Sequence, residues 1–153
     1  VSQETQVLYG TIAQNLRFGN FSASLQELRD ACRLAGMIDE TDALPEGFET
    51  RIGDNLSSSL PAGFHQRLAL ARAYLSSAPV LLLDEAANAL DDAGDAKFRD
   101  ALEAMRGSRT ILFATHRPSH MRLADRVVVL SDGVVAADGP PDEVVPKLLR
   151  QAI

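Results

Sequence analysis

The chain has 153 residues, 46% apolar and 24% charged, enough for one domain with a buried core. A formal net charge of −6 and a pI of about 5.0 argue against a general nucleic-acid binder, which carries a basic face. No apolar run approaches the roughly 20 residues of a membrane span, and the opening VSQETQVLYG has neither the basic nor the apolar region of a signal peptide. The missing initiator Met is expected of a segment of something longer. The single cysteine, Cys32, cannot form an internal disulfide, which fits a reducing compartment.

The first half reads as helical. Ser24 and Glu27 form a capping box, in which the Ser hydroxyl accepts an orphan N–H and the Glu reaches back. Leu25, Leu28, Cys32 and Ala35 follow at helical spacing, Gly36 stops the helix, and Cys32 is a core residue. Residues 44–63, rich in Gly, Pro, Ser and Asp, read as loop. A helix is predicted over 63–76 with Leu68, Ala71 and Leu75 inward.

The second half alternates strand and helix. Residues 80–83 are a short apolar strand. Phe98, Ala101, Leu102 and Met105 mark an amphipathic helix that stops at Gly107. TILFAT, 110–115, is a second buried strand. RVVVL, 126–130, is a third, followed by an Asp132–Gly133 turn and VVAAD. Apolar strands separated by helices predict an α/β fold with a parallel sheet covered on both faces. Two parts are expected: a helical lobe over 1–77 and an α/β lobe over 78–153.

Ligands of open α/β sheets bind beyond the carboxyl ends of the strands. One strand here ends at Asp84 and Glu85, the other at Thr115 and His116. An Asp so placed can hold Mg²⁺, usually through water, because Mg²⁺ dehydrates reluctantly. A neighbouring Glu can polarise an attacking water, and a His can hydrogen-bond a terminal phosphate. Taken singly, each has a plainer reading: acids at a strand end often only begin a loop. His65 and His120 read as ordinary surface or core histidines.

The order of the pieces is more specific. RLALARAYL precedes APVLLLDEAANALD, ILFATHR follows about 25 residues later, and ADRVVVLSDGVVAADGPPDEVV comes after. In that order they strongly resemble the ATP-binding cassette of ABC transporters, and the resemblance covers essentially the whole chain. YGTIAQNLRFG and LPEGFETRIGD resemble segments of exporters. The resemblance implies that Gln3 is the glutamine of the Q-loop, touching Mg²⁺ and the transmembrane partner. It makes Asp84 the Walker B aspartate, Glu85 the catalytic glutamate and His116 the switch histidine. Residues 88–91, from Asn88 to Asp91, become the D-loop that crosses a dimer interface. It further implies ATP and Mg²⁺ held between two cassettes, attached transmembrane domains, and a place on the cytoplasmic face of the inner or plasma membrane.

Two departures stand out. A phosphate-cradling G-x-x-x-x-G-K-[ST] loop is missing from the sequence, whose only lysines, Lys97 and Lys147, do not follow a Gly. The family's upstream aromatic, which stacks on adenine, is missing too. In the family both precede the Q-loop, so the expectation is the C-terminal part of a P-loop NTPase cassette. Its Walker A strand and N-terminal β-subdomain would be absent, the fragment inactive alone, and apolar surface exposed where the missing strands pack. The second departure is the signature loop, usually L-S-G-G-Q, which here reads LPAGF with Leu60, Pro61, Ala62, Gly63 and Phe64. One extra residue separates RIGD from it. Pro61 replaces the phosphate-contacting Ser and has neither hydroxyl nor N–H to donate. The helix N-terminus still offers N–H groups and a dipole, and Ser57, Ser58 or Ser59 could supply a hydroxyl in a shifted register.

Because a signature loop completes the partner's site, two arrangements fit: a different partner cassette, or a homodimer with a variant but working loop. The retained Glu85 and His116 favour the second. The leading reading is therefore the ATPase domain of an exporter. The alternative is a degenerate cassette that binds nucleotide with little hydrolysis. A soluble ABC ATPase of DNA repair or translation is disfavoured: the 56 residues between Gln3 and Leu60 are too few for the coiled coil of the repair type, and the acidic charge disfavours nucleic acid.

Overall fold

A computed structural model describes residues 1, 7–53, 60 and 62–151. The chain forms two compact units, Val1–Ala114 and Thr115–Ile153. The lobe boundary expected after residue 77 lies inside the first.

In the first unit, β1 (Gly10–Thr11) pairs antiparallel with β2 (Arg51–Ile52), a short strand inside the predicted loop. Helix α1 (Ile12–Arg17) starts at a capping box the sequence reading missed: Thr11 Oγ1 accepts from Gln14 N, and Gln14 Oε1 accepts from Thr11 N. Helix α2 (Leu25–Leu34) starts at the predicted box of Ser24 and Glu27. Leu28, Cys32 and Ala35 are buried as the spacing predicts. Leu25 is not; it is 55% exposed, being the first helical residue, one turn ahead of the buried stripe. Helix α3 (Ile38–Asp42) and a 3-10 turn (Gly47–Glu49) lead to β2.

Helix α4 (Ala62–Leu75) is the centre of this unit and packs against α1 and α2. Apolar and small residues lie on most of its sides, as befits a buried helix. Phe64, Leu68, Leu70 and Ala71 are no more than 1% exposed. The α1–α2 connection passes so close that a Cβ on Gly19 would sit 2.1 Å from the Arg72 carbonyl oxygen, so only glycine fits. Asn15, fully buried, joins three segments. Its amide donates to the carbonyls of Leu8 (2.8 Å) and Thr11 (3.0 Å), its Oδ1 accepts from Leu8 N (3.0 Å), and its own carbonyl accepts from Arg72 Nε (2.9 Å).

Strands β3 (Val80–Asp84) and β4 (Thr110–Ala114) are parallel, joined through helix α5 (Asp92–Met105), whose Phe98, Ala101, Leu102 and Met105 are buried as predicted. On the other edge of β3, Val1 N donates to Leu82 O (2.7 Å) and Val1 O accepts from Asp84 N (2.9 Å). These are the two bonds a parallel neighbour makes around Leu83. The prediction of a sheet covered on both faces fails here. Leu81 and Leu83 are buried, but Val80 (49%), Leu82 (58%) and Leu112 (65%) face solvent. The described residues supply a cover for one face only, so an unbroken apolar run is read out as alternating burial.

In the second unit, α6 (Pro118–Met121) precedes β5 (Val127–Ser131), β6 (Val134–Gly139) and α7 (Pro141–Gln151). The third strand, expected in the parallel sheet, pairs antiparallel with β6 instead. Its turn decides this: Asp132 (φ 52°) and Gly133 (φ 78°) are both left-handed, the geometry that closes a two-residue hairpin. Arg126 and Asp138 pair across it at 2.6 Å, and Val144 and Val145 of α7 are buried. Among the described residues no helix is long and apolar enough to cross a membrane.

Candidate active site

The carboxyl end of β3 delivers Asp84 with its side chain exposed, and the next residue leaves the strand abruptly. Glu85 has φ 45°, a left-handed backbone that costs a non-glycine residue about 1–3 kcal/mol. Neighbours hold it there. Glu85 N donates to Ala114 O at the end of β4 (3.1 Å), and Glu85 O accepts from Asn88 N (3.1 Å). Gln66, on α4, donates from Nε2 to Ala86 O (2.7 Å) in a buried setting. The Asn88 side-chain amide donates to Glu85 Oε2. The strained corner is thus gripped by β4, by α4 and by its own turn.

Asp91 caps α5: its Oδ1 accepts from Gly94 N at 2.8 Å, and its φ and ψ are extended as a cap requires. The segment between Glu85 and Asp91 runs beside the start of α4, where a Cβ on Gly63 would lie 3.4 Å from Ala89 O and 3.2 Å from Arg67 Nη1. Arg67 is almost wholly buried and reaches both Glu40 carboxylate oxygens at 2.6 Å, while its Nε has no hydrogen-bond partner among the described residues. Phe64, which stands where the resembled loop has Gln, is 1% exposed, with its ring edge-on to His65. It is a core residue and presents nothing polar. Leu60 is half-buried and Ala62 is the first residue of α4. Gln3 and Pro61 lie outside the described residues.

His116 is exposed in the second unit. Its loop is shaped by Thr115, whose Oγ1 accepts from Arg117 N (3.1 Å) and lies 3.4 Å from Nδ1 of His120. His120 is 2% exposed, a core histidine, one of the two readings open for it.

The donor chemistry suits a hard cation bound sparingly. Among the described residues no group of three metal-ligating side chains occurs. One exposed carboxylate at a strand end, Asp84, fits a Mg²⁺ that keeps most of its waters. Beside it the open sheet face forms an apolar cleft of about 400 Å³, lined by Val1, Leu82, Leu83, Asp84, Leu112 and Ala114. The sequence patterns do not single out Gln66, and they mark Asn88 only as the start of a loop. A glutamine among the apolar residues of a buried helix was the available signal for the first; the second had none.

Similarity to known proteins agrees with this geometry. A profile of the family described as ABC transporter matches residues 1–88. The chain is 41% identical over 139 residues to an ATP-dependent lipid A-core flippase of Chromobacterium violaceum, covering 91% of this chain and 24% of the relative. It is 36% identical over 145 residues to the heterocyst differentiation ATP-binding protein HepA of a Nostoc species, covering 95% and 24%. The solved structure of a bacterial Atm1-family ABC exporter with ATP bound superposes with a TM-score of 0.86 at 30% identity, covering 99% of this chain and 28% of that one. The chain therefore spans about a quarter of the length of the relatives it matches. With the family profile matched over more than half of its residues, the chain belongs to the ABC transporter family.

Proposed function

We propose that these 153 residues are part of the ATP-binding and ATP-hydrolysing domain of an ABC exporter, working on the cytoplasmic face of a membrane. The observation that carries the reading is the Asp84–Glu85 pair at the end of a parallel strand, with Glu85 held in a strained backbone by β4 and α4. Likeness over 99% of the chain to an ATP-bound exporter supports it.

In this reading Asp84, with Gln3, holds Mg²⁺, which when bound offsets charge on the nucleotide phosphates. Glu85 polarises the water that attacks the terminal phosphate in line, and His116 hydrogen-bonds that phosphate. The loop sequence Leu60, Pro61, Ala62 and Gly63 is assigned to the nucleotide site of a second cassette, and Asp91 ends the loop that crosses to it. Residues 1–77 form the lobe that meets the transmembrane domains, and 78–153 carry the chemistry. The chain holds no Gly-rich loop with a Lys, so by itself it is inactive, and the phosphates are cradled by residues outside it.

A degenerate cassette is the second reading, favoured by one feature: Phe64 is buried where a polar contact residue stands in the resembled loop. Turnover decides between them. In the full-length protein carrying this segment, Glu85→Gln abolishes ATP hydrolysis and retains ATP binding. Slow wild-type turnover that Glu85→Gln leaves unchanged would instead establish the degenerate cassette.

A further inference from the structure

We infer that Arg67 is a positioning residue for the start of α4, its guanidinium filling the space beside Gly63 while Glu40 of α3 holds it there; the inference rests on the function proposed above. Long side chains of a helix point back toward its N-terminus, over the turn before their own. For Arg67 that turn holds Gly63. A Cβ on Gly63 would lie 3.2 Å from Arg67 Nη1 and 3.8 Å from its Cζ, so the guanidinium lies where a side chain at 63 would begin. The Arg67 side chain is 7% exposed, and a guanidinium keeps its charge, so the enclosed cation needs a partner. Glu40 supplies it from 27 residues earlier, with both carboxylate oxygens 2.6 Å from Nη2.

Stability alone is the plainer explanation. An apolar side chain of similar volume serves that purpose as well as a buried ion pair does, or better. A pair whose acid is open to water, as Glu40 is, contributes little besides. Direct contact with a nucleotide is the other explanation. The guanidinium is enclosed, with Nη2 taken by Glu40 and Nη1 against Gly63, so Arg67 acts through the turn it abuts. That turn carries Ala62 and Gly63, part of the stretch assigned above to the nucleotide of a second cassette. Without Glu40 the guanidinium is an unpaired charge that turns out to water, and the start of α4 loses its support. It is then correctly placed for only a fraction of the time, and the apparent affinity for nucleotide falls by that fraction. Chemistry once the site has formed is unchanged, because the corner at Glu85 is held by β4 and Gln66 and not by Arg67.

The test measures ATP turnover and the KM for MgATP of the full-length protein carrying this segment, for Glu40→Ala, Arg67→Met and the two together. Arg67→Met keeps a long unbranched side chain beside Gly63 and needs no charged partner. Expected for Glu40→Ala are a KM raised by about fivefold or more and a kcat within about twofold. Arg67→Met alone raises KM less than Glu40→Ala does, so removing both charges does less harm than removing one. In the Arg67→Met background Glu40→Ala changes KM by less than about twofold, because Glu40 acts only through Arg67. Should Arg67→Met fail to fold, Arg67→Gln takes its place in the cycle. If Glu85→Gln is inactive while Glu40→Ala leaves KM unmoved, whether or not its thermal midpoint falls, the positioning role is overturned and the proposed function stands. An equal rise of KM in both backgrounds overturns it in the same way. Turnover that Glu85→Gln leaves unchanged overturns the proposed function, and this inference with it.

Discussion

Gln66 and Ala86 are joined by one buried hydrogen bond, from Nε2 to the carbonyl oxygen at 2.7 Å, that ties helix α4 to the corner following β3. Both residues are at most 6% exposed, so water cannot take the place of either partner. The bond links the start of the helix behind Leu60 and Gly63 to the residue after Glu85. In the proposed function those two stretches serve different nucleotide sites. One side chain thus sets their spacing.

Replacing Gln66 by Leu keeps most of the volume and leaves the Ala86 carbonyl unsatisfied, at a cost of about 1–3 kcal/mol. The strain at Glu85 then has one support fewer, so the corner should open more often than the rest of the unit. Hydrogen exchange read residue by residue checks this: faster exchange is expected at the Glu85, Asn88 and Leu90 amides, which are bonded within or next to the corner. Protection at those amides equal to that of the wild-type chain would mean that Gln66 merely fills space.

Much of this was legible in the sequence because it is written in local patterns. The box of Ser24 and Glu27, the stripe of Phe98, Ala101, Leu102 and Met105, and the apolar runs at 80–83 and 110–115 each reflect a period that one element imposes on its own residues. Asp84 and Glu85 were found the same way, from acids that end an apolar run. What escaped depends on partners distant in sequence. Periodicity does not say whether a second layer covers Leu82 and Leu112, nor that β5 turns back on β6 through two left-handed residues. Nor does it reveal that Gln66 meets a carbonyl 20 residues on.

Cys32 offers a clean probe of the helical core. It is 0% exposed on α2, and burial, the dominant cause, raises its thiol from an ordinary 9.0 to about 12; the nearby Asp42 carboxylate adds to the shift. At pH 8 the native thiol is ionised in roughly one molecule in ten thousand, against roughly one in ten when unfolded. Iodoacetamide at pH 8 should therefore leave the native chain unmodified and alkylate it once denaturant is added. The same shift makes folding pH-dependent on the alkaline side. Between pH 9 and 12 the folded thiol keeps a proton that the unfolded one has released, so stability falls as pH rises through that window. Rapid alkylation under native conditions would show that α2 opens readily.

The open face of the sheet gives the sharpest contrast. Leu82 and Leu112 are neighbours in register on β3 and β4, and they are 58% and 65% exposed, whereas Leu81 and Leu83 on the opposite face are buried. Two side chains of the same type, one residue apart, should thus respond oppositely. Leu82→Glu should change the stability of the chain by no more than about 0.5 kcal/mol, as surface substitutions do. Leu83→Ala should cost about 2–5 kcal/mol through lost burial and the cavity left behind. An apolar face of this kind also draws copies together at high concentration. Sedimentation of the chain should show self-association that Leu82→Glu with Leu112→Lys reduces, the two new charges being opposite each other and of opposite sign. If Leu82→Glu instead costs several kcal/mol, the face is covered, and the one-sided sheet is wrong. If the double substitution leaves self-association as it was, the contact lies elsewhere, with the exposed Phe18–Phe21 pair the next surface to change.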